Sequence, residues 1–299
     1  MELLVLHEMH ARHLRALRRS GQTVRFYKQA VVDLSHFLEG QGRTPVAAEV
    51  TRADLVLCQE AMVARQMKPG AVGAMMRGLR ATFRWALDEE LLTRDPTAKL
   101  PMPNPRTEQP HAIQPEEVQA CLRVAREMPL PLRSVAIMLT LYDCGVRAGE
   151  LIGMRVGDVQ LERGMLVIRA ETSKTGGRVV PLGIKSARAL TRYMHRERKP
   201  ALVTVEDLWI ARDGSPLTKS GLSQLMNRLA QAAGLPRDHV APHAWRRGCA
   251  TQLLRNGSDL FTVQTVLGHT QLEQTRRYVA YLPTDIQRTH LRASPADRL

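Results

Sequence analysis

The sequence predicts a mainly α-helical protein with a small antiparallel β-sheet, divided into two domains. Three observations support this fold class: helical periodicity in the first hundred residues, four prolines within residues 101–110, and two β-type segments close together later in the chain. A chain of 299 residues is long enough for two domains that each bury a core. We therefore expect a helical domain over 1–100, a linker over 101–112 and a second domain over 113–299.

Four helices are predicted before the linker. Apolar residues recur at helical spacing from residue 24 to residue 38, and Thr51 with Asp54 forms a capping box that opens a helix through residue 64. The other two predicted helices cover 3–18 and 71–91. The segment PMPNPRTEQP cannot continue a helix, because each proline lacks an amide donor and restricts the residue before it.

The second domain is predicted to be helical around a small sheet. The β-type runs MLVIRA and RVVPL are separated by ETSKTGG, whose paired glycines suit a hairpin turn, and LWIA at 208–211 resembles a short third strand. The predicted helices cover 115–128, 134–142, 219–233, 243–255, 259–267 and 271–281.

The charge balance favours a polyanionic partner. Lysine and arginine total 43 against 29 acidic residues, a net charge of +14. Residues 1–110 hold 16 basic and 12 acidic residues, whereas the remainder holds 27 and 17, so most of the excess lies in the second domain. Nucleic acid is the first candidate for such a partner and a membrane surface the second.

Cysteine usage and the amino terminus indicate the compartment. The four cysteines lie far apart and form no CxxC pair, so neither a disulfide framework nor a zinc module is predicted. The apolar run in MELLVLHEMH is too short for a signal peptide, and no later run reaches membrane-spanning length. We therefore expect a soluble cytoplasmic protein.

Two stretches of the second domain carry cations in positions suited to phosphate. Arg147 follows Gly145 at a predicted break between helices, and its planar fork can donate two parallel hydrogen bonds to phosphate oxygens. The alternative is an ordinary surface pair between Arg147 and Glu150. Lys174 lies at the predicted hairpin tip, where a flexible ammonium can reach a phosphate, although most turn lysines are simply solvated.

Two further stretches add groups that can move protons or attack. His243 and Arg246 lie three residues apart at the start of a predicted helix, and so share one face of it. Gly268 can end the preceding helix in the left-handed conformation, which turns His269 out of helical geometry. Tyr278 follows nine residues after His269, and a tyrosine becomes a nucleophile only beside cations or a base.

Taken in order, these stretches resemble the motifs of the tyrosine recombinase (phage integrase) family, and the layout is similar to its compact Xer-type members. The matching residues are Arg147, Lys174, His243, Arg246, His269 and Tyr278. The resemblance covers nearly the whole chain. It implies a helical core-binding (SAM-like) DNA-binding domain, a linker and an α+β catalytic domain with a carboxyl-terminal tail.

The resemblance also implies a mechanism. Tyr278 would attack a DNA phosphate to leave a 3′-phosphotyrosine, and strand exchange would pass through a Holliday junction. Arg147 and Arg246 would stabilise the transition state, while His243, Lys174 and His269 would transfer protons or donate hydrogen bonds. The resemblance implies that the reaction needs no metal, no ATP and no other cofactor.

The expected partner is double-stranded DNA with inverted-repeat core sites. The protein would act there as a homotetramer or paired with a related recombinase, at the nucleoid and away from membranes. Residues 283–299 would dock on a neighbouring subunit or form a frayed tail. Alternative functions are a type IB topoisomerase-like relaxing enzyme and a catalytically silent DNA-binding regulator.

Two local features depart from these patterns. Arg247 stands where the family commonly has histidine, and Trp245 where leucine is usual, which puts the packing around His243 in doubt. In the first helix, His7, His10 and His13 share a face, but no HExxH motif or cysteine set accompanies them. We interpret these three histidines as a polar helix face.

Overall fold

The computed structural model describes residues 1–102, 110–173 and 175–271. The chain divides into two compact units, Met1–Glu108 and Gln109–Leu299. Within the described ranges, no helix is both long enough and apolar enough to cross a bilayer. The predictions for most of the linker, for Lys174, for the helix at 271–281 with Tyr278 and Tyr281, and for the tail lie outside the described residues.

The first unit is a bundle of four helices. Its helices are α1 (Leu3–Ala16), α2 (Gly21–Glu39), α3 (Arg52–Ala64) and α4 (Pro69–Asp88). The predicted capping box is confirmed, since the Asp54 amide donates to Thr51 Oγ1 at 3.2 Å and the Thr51 amide donates to Asp54 Oδ2 at 2.8 Å. Buried leucine, valine and methionine side chains from all four helices form one apolar core.

The interpretation of the α1 histidines as a polar face is wrong for His7 and His10, which are both buried. The His10 ring stacks on Trp85 with centroids 4.8 Å apart, and its Nδ1 is hydrogen-bonded to Thr82 Oγ1 at 3.2 Å. Burial lowers the pKa of His10 to about 4. An imidazole kept neutral in this way packs as an aromatic ring.

The second unit contains seven α-helices and three strands among its described residues. The helices are α5 (Pro115–Ala125), α6 (Pro131–Cys144), α7 (Ala148–Ile152), α8 (Ile184–Arg196), α9 (Lys219–Ala232), α10 (Pro242–Arg255) and α11 (Leu260–Leu267). The strands are β1 (Val159–Gln160), β2 (Met165–Ile168) and β3 (Arg178–Pro181). The mainly helical fold class with a small sheet is confirmed.

The sheet is antiparallel in the order β1, β2, β3. Leu166 pairs with Val180 and Ile168 pairs with Arg178. Leu166, Ile168 and Val180 are buried against the helices, so one face of the sheet joins the core of this unit. The predicted pairing of the two β-type runs is therefore confirmed, with slightly shorter strands.

The prediction of a strand at 208–211 is wrong. Leu208, Trp209 and Ile210 are buried in a non-strand segment held by Tyr193 of α8. The Tyr193 hydroxyl donates to the Leu208 carbonyl and accepts from the Ile210 amide, both at 2.9 Å, and its ring stacks on Trp209. The apolar run reflects burial in the core, where Tyr193 and single backbone hydrogen bonds hold it without a paired strand.

Candidate active site

The turn between α6 and α7 positions Arg147. Gly145 ends α6 in the left-handed conformation, with φ +58°. A Cβ at this position would collide with the Leu267 side chain and would lie 3.0 Å from Cys249 Sγ. Glycine is therefore required here on two grounds, and the tight turn places Arg147 directly before α7.

Glu150 is the buried carboxylate that organises this region. It is 1% exposed. Its oxygens accept hydrogen bonds from the Arg147 amide at 2.9 Å, from Arg147 Nη1 at 2.8 Å and from both terminal nitrogens of Arg178 at 3.0 and 3.1 Å. Burial alone would raise the pKa of Glu150, but the hydrogen bonds and charges of Arg178 and Arg147 lower it to about 2.

The Arg147–Glu150 pair is thus the (i, i+3) contact that the sequence allowed, but it is not an ordinary surface pair. A carboxylate that is buried and shared by two guanidinium groups fixes both of them. Arg178 completes the arrangement through its Nε, which donates to the Val266 carbonyl of α11 at 2.8 Å. Glu150 and Arg178 together tie α7, β3 and α11 to one another.

The loop between β2 and β3 is anchored to the same carboxylate. Ser173 Oγ donates to Glu150 Oε1 at 2.9 Å, and Arg147 Nη1 donates to Thr175 Oγ1 at 3.2 Å. Ser173 and Thr175 flank Lys174 in the sequence. The two described neighbours of the predicted lysine therefore both contact the Arg147–Glu150 pair.

Arg246 joins the two turns of the site through hydrogen bonds from its buried side chain. It lies on α10, is 4% exposed, and donates to the carbonyls of Gly145 and Leu267, each at 2.6 Å. These carbonyls lie at the carboxyl ends of α6 and α11, where a helix leaves its last carbonyls without a partner of its own. Arg246 therefore holds the turn before Arg147 and the turn before His269 in a fixed relation.

Gly268 adopts the predicted left-handed conformation at the end of α11, with φ +63°. A Cβ here would lie 2.9 Å from Arg178 Cδ, so the turn packs directly on that side chain. Burial lowers the pKa of His269 to about 4, helped by the positive charges of Arg246, Arg147 and Arg178. His269 is consequently a neutral imidazole, near three guanidinium groups, at physiological pH.

The departures around α10 are accommodated in the structure. Trp245 is fully buried, its indole nitrogen donates to the Val240 carbonyl at 2.9 Å, and its ring packs edge-on against Tyr142. Arg247 Nε donates to the His111 carbonyl at 2.7 Å. His243 lies exposed on the first turn of α10, one helical turn from Arg246. Both unusual residues thus have defined structural partners.

The structure brings three of the six predicted residues together: Arg147, Arg246 and His269. His243 lies on the same helix as Arg246, while Lys174 and Tyr278 lie outside the described residues. Arg147, Arg178 and Arg246 carry three positive charges against the single negative charge of Glu150. An excess of two charges in a partly desolvated site favours an anion with several oxygens, such as a phosphodiester.

The sequence profile of the phage integrase family matches residues 111–284, which is more than half of the chain. The chain belongs to the phage integrase family. Two relatives support this. The chain is 30% identical over 284 residues to tyrosine recombinase XerD of Xanthomonas campestris, covering 92% of this chain and 86% of that protein. It is 30% identical over 273 residues to tyrosine recombinase XerC of Alcanivorax borkumensis, covering 89% and 86%.

Solved integrase structures share the fold. The Tn1549 transposon integrase in complex with transposon right end DNA gives a TM-score of 0.80 at 18% identity, covering 98% of this chain and 99% of that one. A lambda integrase dimer bound to a COC' core site gives a TM-score of 0.74 at 19% identity, covering 92% and 97%. These similarities show that this chain shares the fold of both structures.

Sequence reasoning missed two residues of the site, Glu150 and Arg178. Glu150 was considered as a surface partner of Arg147, without a role in organising the site. Arg178 stood at the start of a predicted strand without a stated role. The sequence did contain a signal for Arg178. It is a charged residue directly after Gly176 and Gly177, in a predicted hairpin that already carried Lys174.

Proposed function

We propose that this tyrosine recombinase breaks and rejoins DNA strands at specific sites through a 3′-phosphotyrosine link on Tyr278, with exchange through a Holliday junction. The observation that carries the proposal is the convergence of Arg147, Arg246 and His269 on two turns held by Glu150 and Arg178. The six residues Arg147, Lys174, His243, Arg246, His269 and Tyr278 form the proposed active site.

Arg147 and Arg246 stabilise the charge that develops on the phosphate. Attack by a tyrosine oxygen gives a pentacovalent phosphorus with added negative charge on its non-bridging oxygens. Guanidinium groups fixed before the reaction stabilise that charge without reorganising, which is the main electrostatic contribution to catalysis in such sites. Glu150 and the backbone carbonyls at Gly145 and Leu267 supply this fixation.

The remaining residues handle protons. His269, whose pKa is lowered to about 4 by burial and the neighbouring arginines, donates an N–H to a phosphate oxygen as a neutral group. His243 accepts the proton of the attacking tyrosine, and Lys174 protonates the 5′-oxygen that leaves. The phosphodiester energy is conserved in the phosphotyrosine, so the cycle closes when a 5′-hydroxyl attacks that link.

The proposed substrate is double-stranded DNA with inverted-repeat core sites, bound by both units of the chain. The protein acts at the nucleoid as a tetramer on paired sites, or together with a related recombinase. The net charge of +14 supports a strong contribution from the phosphate backbone. Affinity should therefore fall steeply with salt, and binding that is insensitive to salt would contradict the proposal.

Tyr278→Phe tests the nucleophile, with Tyr281→Phe as the matched control. A core site is first selected from random duplexes by binding to the full chain, and is then nicked so that cleavage traps the covalent adduct. Wild type and Tyr281→Phe should form the adduct, whereas Tyr278→Phe should bind the duplex and form none. If Tyr278→Phe still formed the adduct and Tyr281→Phe did not, the nucleophile would be Tyr281.

Exchange of partners distinguishes a recombinase from a topoisomerase-like enzyme. Two differently labelled duplexes carrying the selected site should yield a branched four-strand intermediate and exchanged products. Relaxation of supercoiled plasmid at random positions, with no exchange between duplexes, would instead support the relaxing activity.

A further inference from the structure

A second cluster of titratable side chains lies in the catalytic unit, outside the proposed active site. His111 Nε2 lies 2.7 Å from Glu117 Oε2, and His239 Nδ1 lies 2.8 Å from Glu117 Oε1. The two imidazole rings stack face to face with centroids 3.5 Å apart and planes 8° apart. The proposed recombination chemistry uses none of these three residues.

The cluster has the composition and spacing of a metal site. The ligand atoms of His111, Glu117 and His239 all lie within 4.8 Å of one another, and no other described residues form such a group of three. Imidazole nitrogens with a carboxylate suit transition metals of intermediate softness, above all Zn²⁺. The side chains are each between 15 and 29% exposed, so a hydrated ion can reach them.

The carboxylate is held in place before any ion arrives. Glu117 is the third residue of α5, and its Oε2 accepts the Gln114 amide at 2.8 Å. His111 and His239 hold the two carboxylate oxygens from the other side, at 2.7 and 2.8 Å. A carboxylate fixed between two imidazoles supplies the kind of ligand set that a divalent ion needs.

We propose that His111 Nε2, His239 Nδ1 and the Glu117 carboxylate bind one divalent transition metal ion of the Zn²⁺ class, with water in the remaining position. In each neutral imidazole the proton that now donates to the carboxylate moves to the other ring nitrogen, which frees a lone pair for the ion. The two stacked rings turn apart so that both lone pairs point at it. Three protein ligands and one water complete the four-coordinate geometry typical of zinc.

The ion would join three segments around the start of α10. His111 belongs to the segment whose backbone contacts α10, through the Ile113 amide to the Ala244 carbonyl at 3.1 Å and Arg247 Nε to the His111 carbonyl at 2.7 Å. His239 precedes α10 by three residues. Metal binding should therefore stiffen the base of the helix that carries His243 and Arg246, and should raise the melting temperature.

The test uses the full chain stripped of metal. Zn²⁺ titrated by calorimetry should bind with one-to-one stoichiometry, and Co²⁺ should develop the visible absorption of a tetrahedral site that Zn²⁺ abolishes. Zn²⁺ at about a hundredfold excess over Kd should raise the melting temperature by roughly 5 °C or more. Binding should weaken as pH falls, because protons compete for the imidazoles.

Variants of the two histidines test whether the ion binds at this cluster. His239→Gln and His111→Gln should each weaken Zn²⁺ binding by at least about tenfold, the scale expected when a metal site loses a supporting group. His195→Gln, which changes an exposed histidine of α8, should bind as wild type does. Circular dichroism of the metal-free variants checks that each is folded.

Three results would overturn the proposal. These are no saturable binding by wild type at millimolar Zn²⁺, a Co²⁺ spectrum typical of the hexa-aqua ion, or undiminished affinity in both folded glutamine variants. If one variant fails to fold, the other and the wild-type Co²⁺ spectrum decide the question.

Discussion

Glu150 and Glu117 occupy the same local position in two different clusters. Each is the third residue of a helix, and each accepts the amide of the residue before that helix, at 2.9 Å for Glu150 and 2.8 Å for Glu117. Each also bridges two side chains, one of them from a distant part of the sequence. Glu150 bridges Arg147 and Arg178, whereas Glu117 bridges two histidines.

The identity of the bridged side chains decides what each cluster can bind. Arginine keeps its charge at every physiological pH, so the Glu150 cluster has a permanent positive excess and suits an anion. A neutral imidazole has one lone pair, so the Glu117 cluster suits the proposed metal cation once each ring proton has moved to the nitrogen that faces away from the carboxylate. Two similar helix starts thus support opposite kinds of ligand, because of what the rest of the fold places beside them.

The largest effect is expected for Arg147→Lys. Lysine keeps the charge but cannot reproduce the planar fork, so the single-turnover rate of covalent adduct formation should fall by at least about 10²-fold. The matched control is Arg163→Lys, an exposed arginine in the 3₁₀ segment Leu161–Arg163, which should react at the wild-type rate. Equal rates for the two variants would show that Arg147 does not act in the active site.

A stability comparison tests the two carboxylates directly. Glu150→Gln leaves the nearly buried Arg178 without its counter-charge, so the free energy of unfolding should fall by about 3 kcal/mol. Glu117→Gln loses hydrogen bonds to histidines in a more exposed place, so we expect a loss of about 1 kcal/mol. Urea denaturation of the metal-free proteins measures both, and equal losses would contradict the distinction.

A smaller effect is expected on the pH dependence of stability. The folded pKa of His269 is about 4 against an ordinary 6.5, so the unfolded chain binds a proton that the folded chain does not between these values. Stability should be full above pH 6.5 and should fall as pH drops toward 4. His10, also lowered to about 4, adds to this slope. His269→Gln should have a shallower slope, and an unchanged slope would contradict the lowered pKa.

The sequence predicted those parts of the fold that depend on local rules. The capping box at Thr51 and the left-handed cap at Gly268 need only neighbouring residues, and both predictions were confirmed. Helix α8 was missed, because four of its thirteen residues are lysine or arginine and only Ser186, Leu190 and Tyr193 are buried. The run at 208–211 was taken for a strand because an apolar run alone does not distinguish strand pairing from anchoring by a distant tyrosine.

The site was predicted to the extent that its residue types recur in family motifs. The burial of Glu150 could not be predicted, since it depends on Arg178, which lies 28 residues later. The Glu117 cluster joins residues 122 positions apart and matches no short metal motif. Both carboxylates have roles set by tertiary contacts, which the spacing of residues along the chain does not record.

The arginines that Glu150 holds are proposed to bind a DNA phosphate beside His269. Nuclear magnetic resonance titration of His269 in the isotope-labelled full chain, with and without the selected core-site duplex, tests it most directly. In the free protein the pKa should be about 4, and bound DNA should raise it because the phosphate offsets the guanidinium charges. A His269 titration that DNA leaves unchanged, or one at 6.5 in the free protein, would contradict the account.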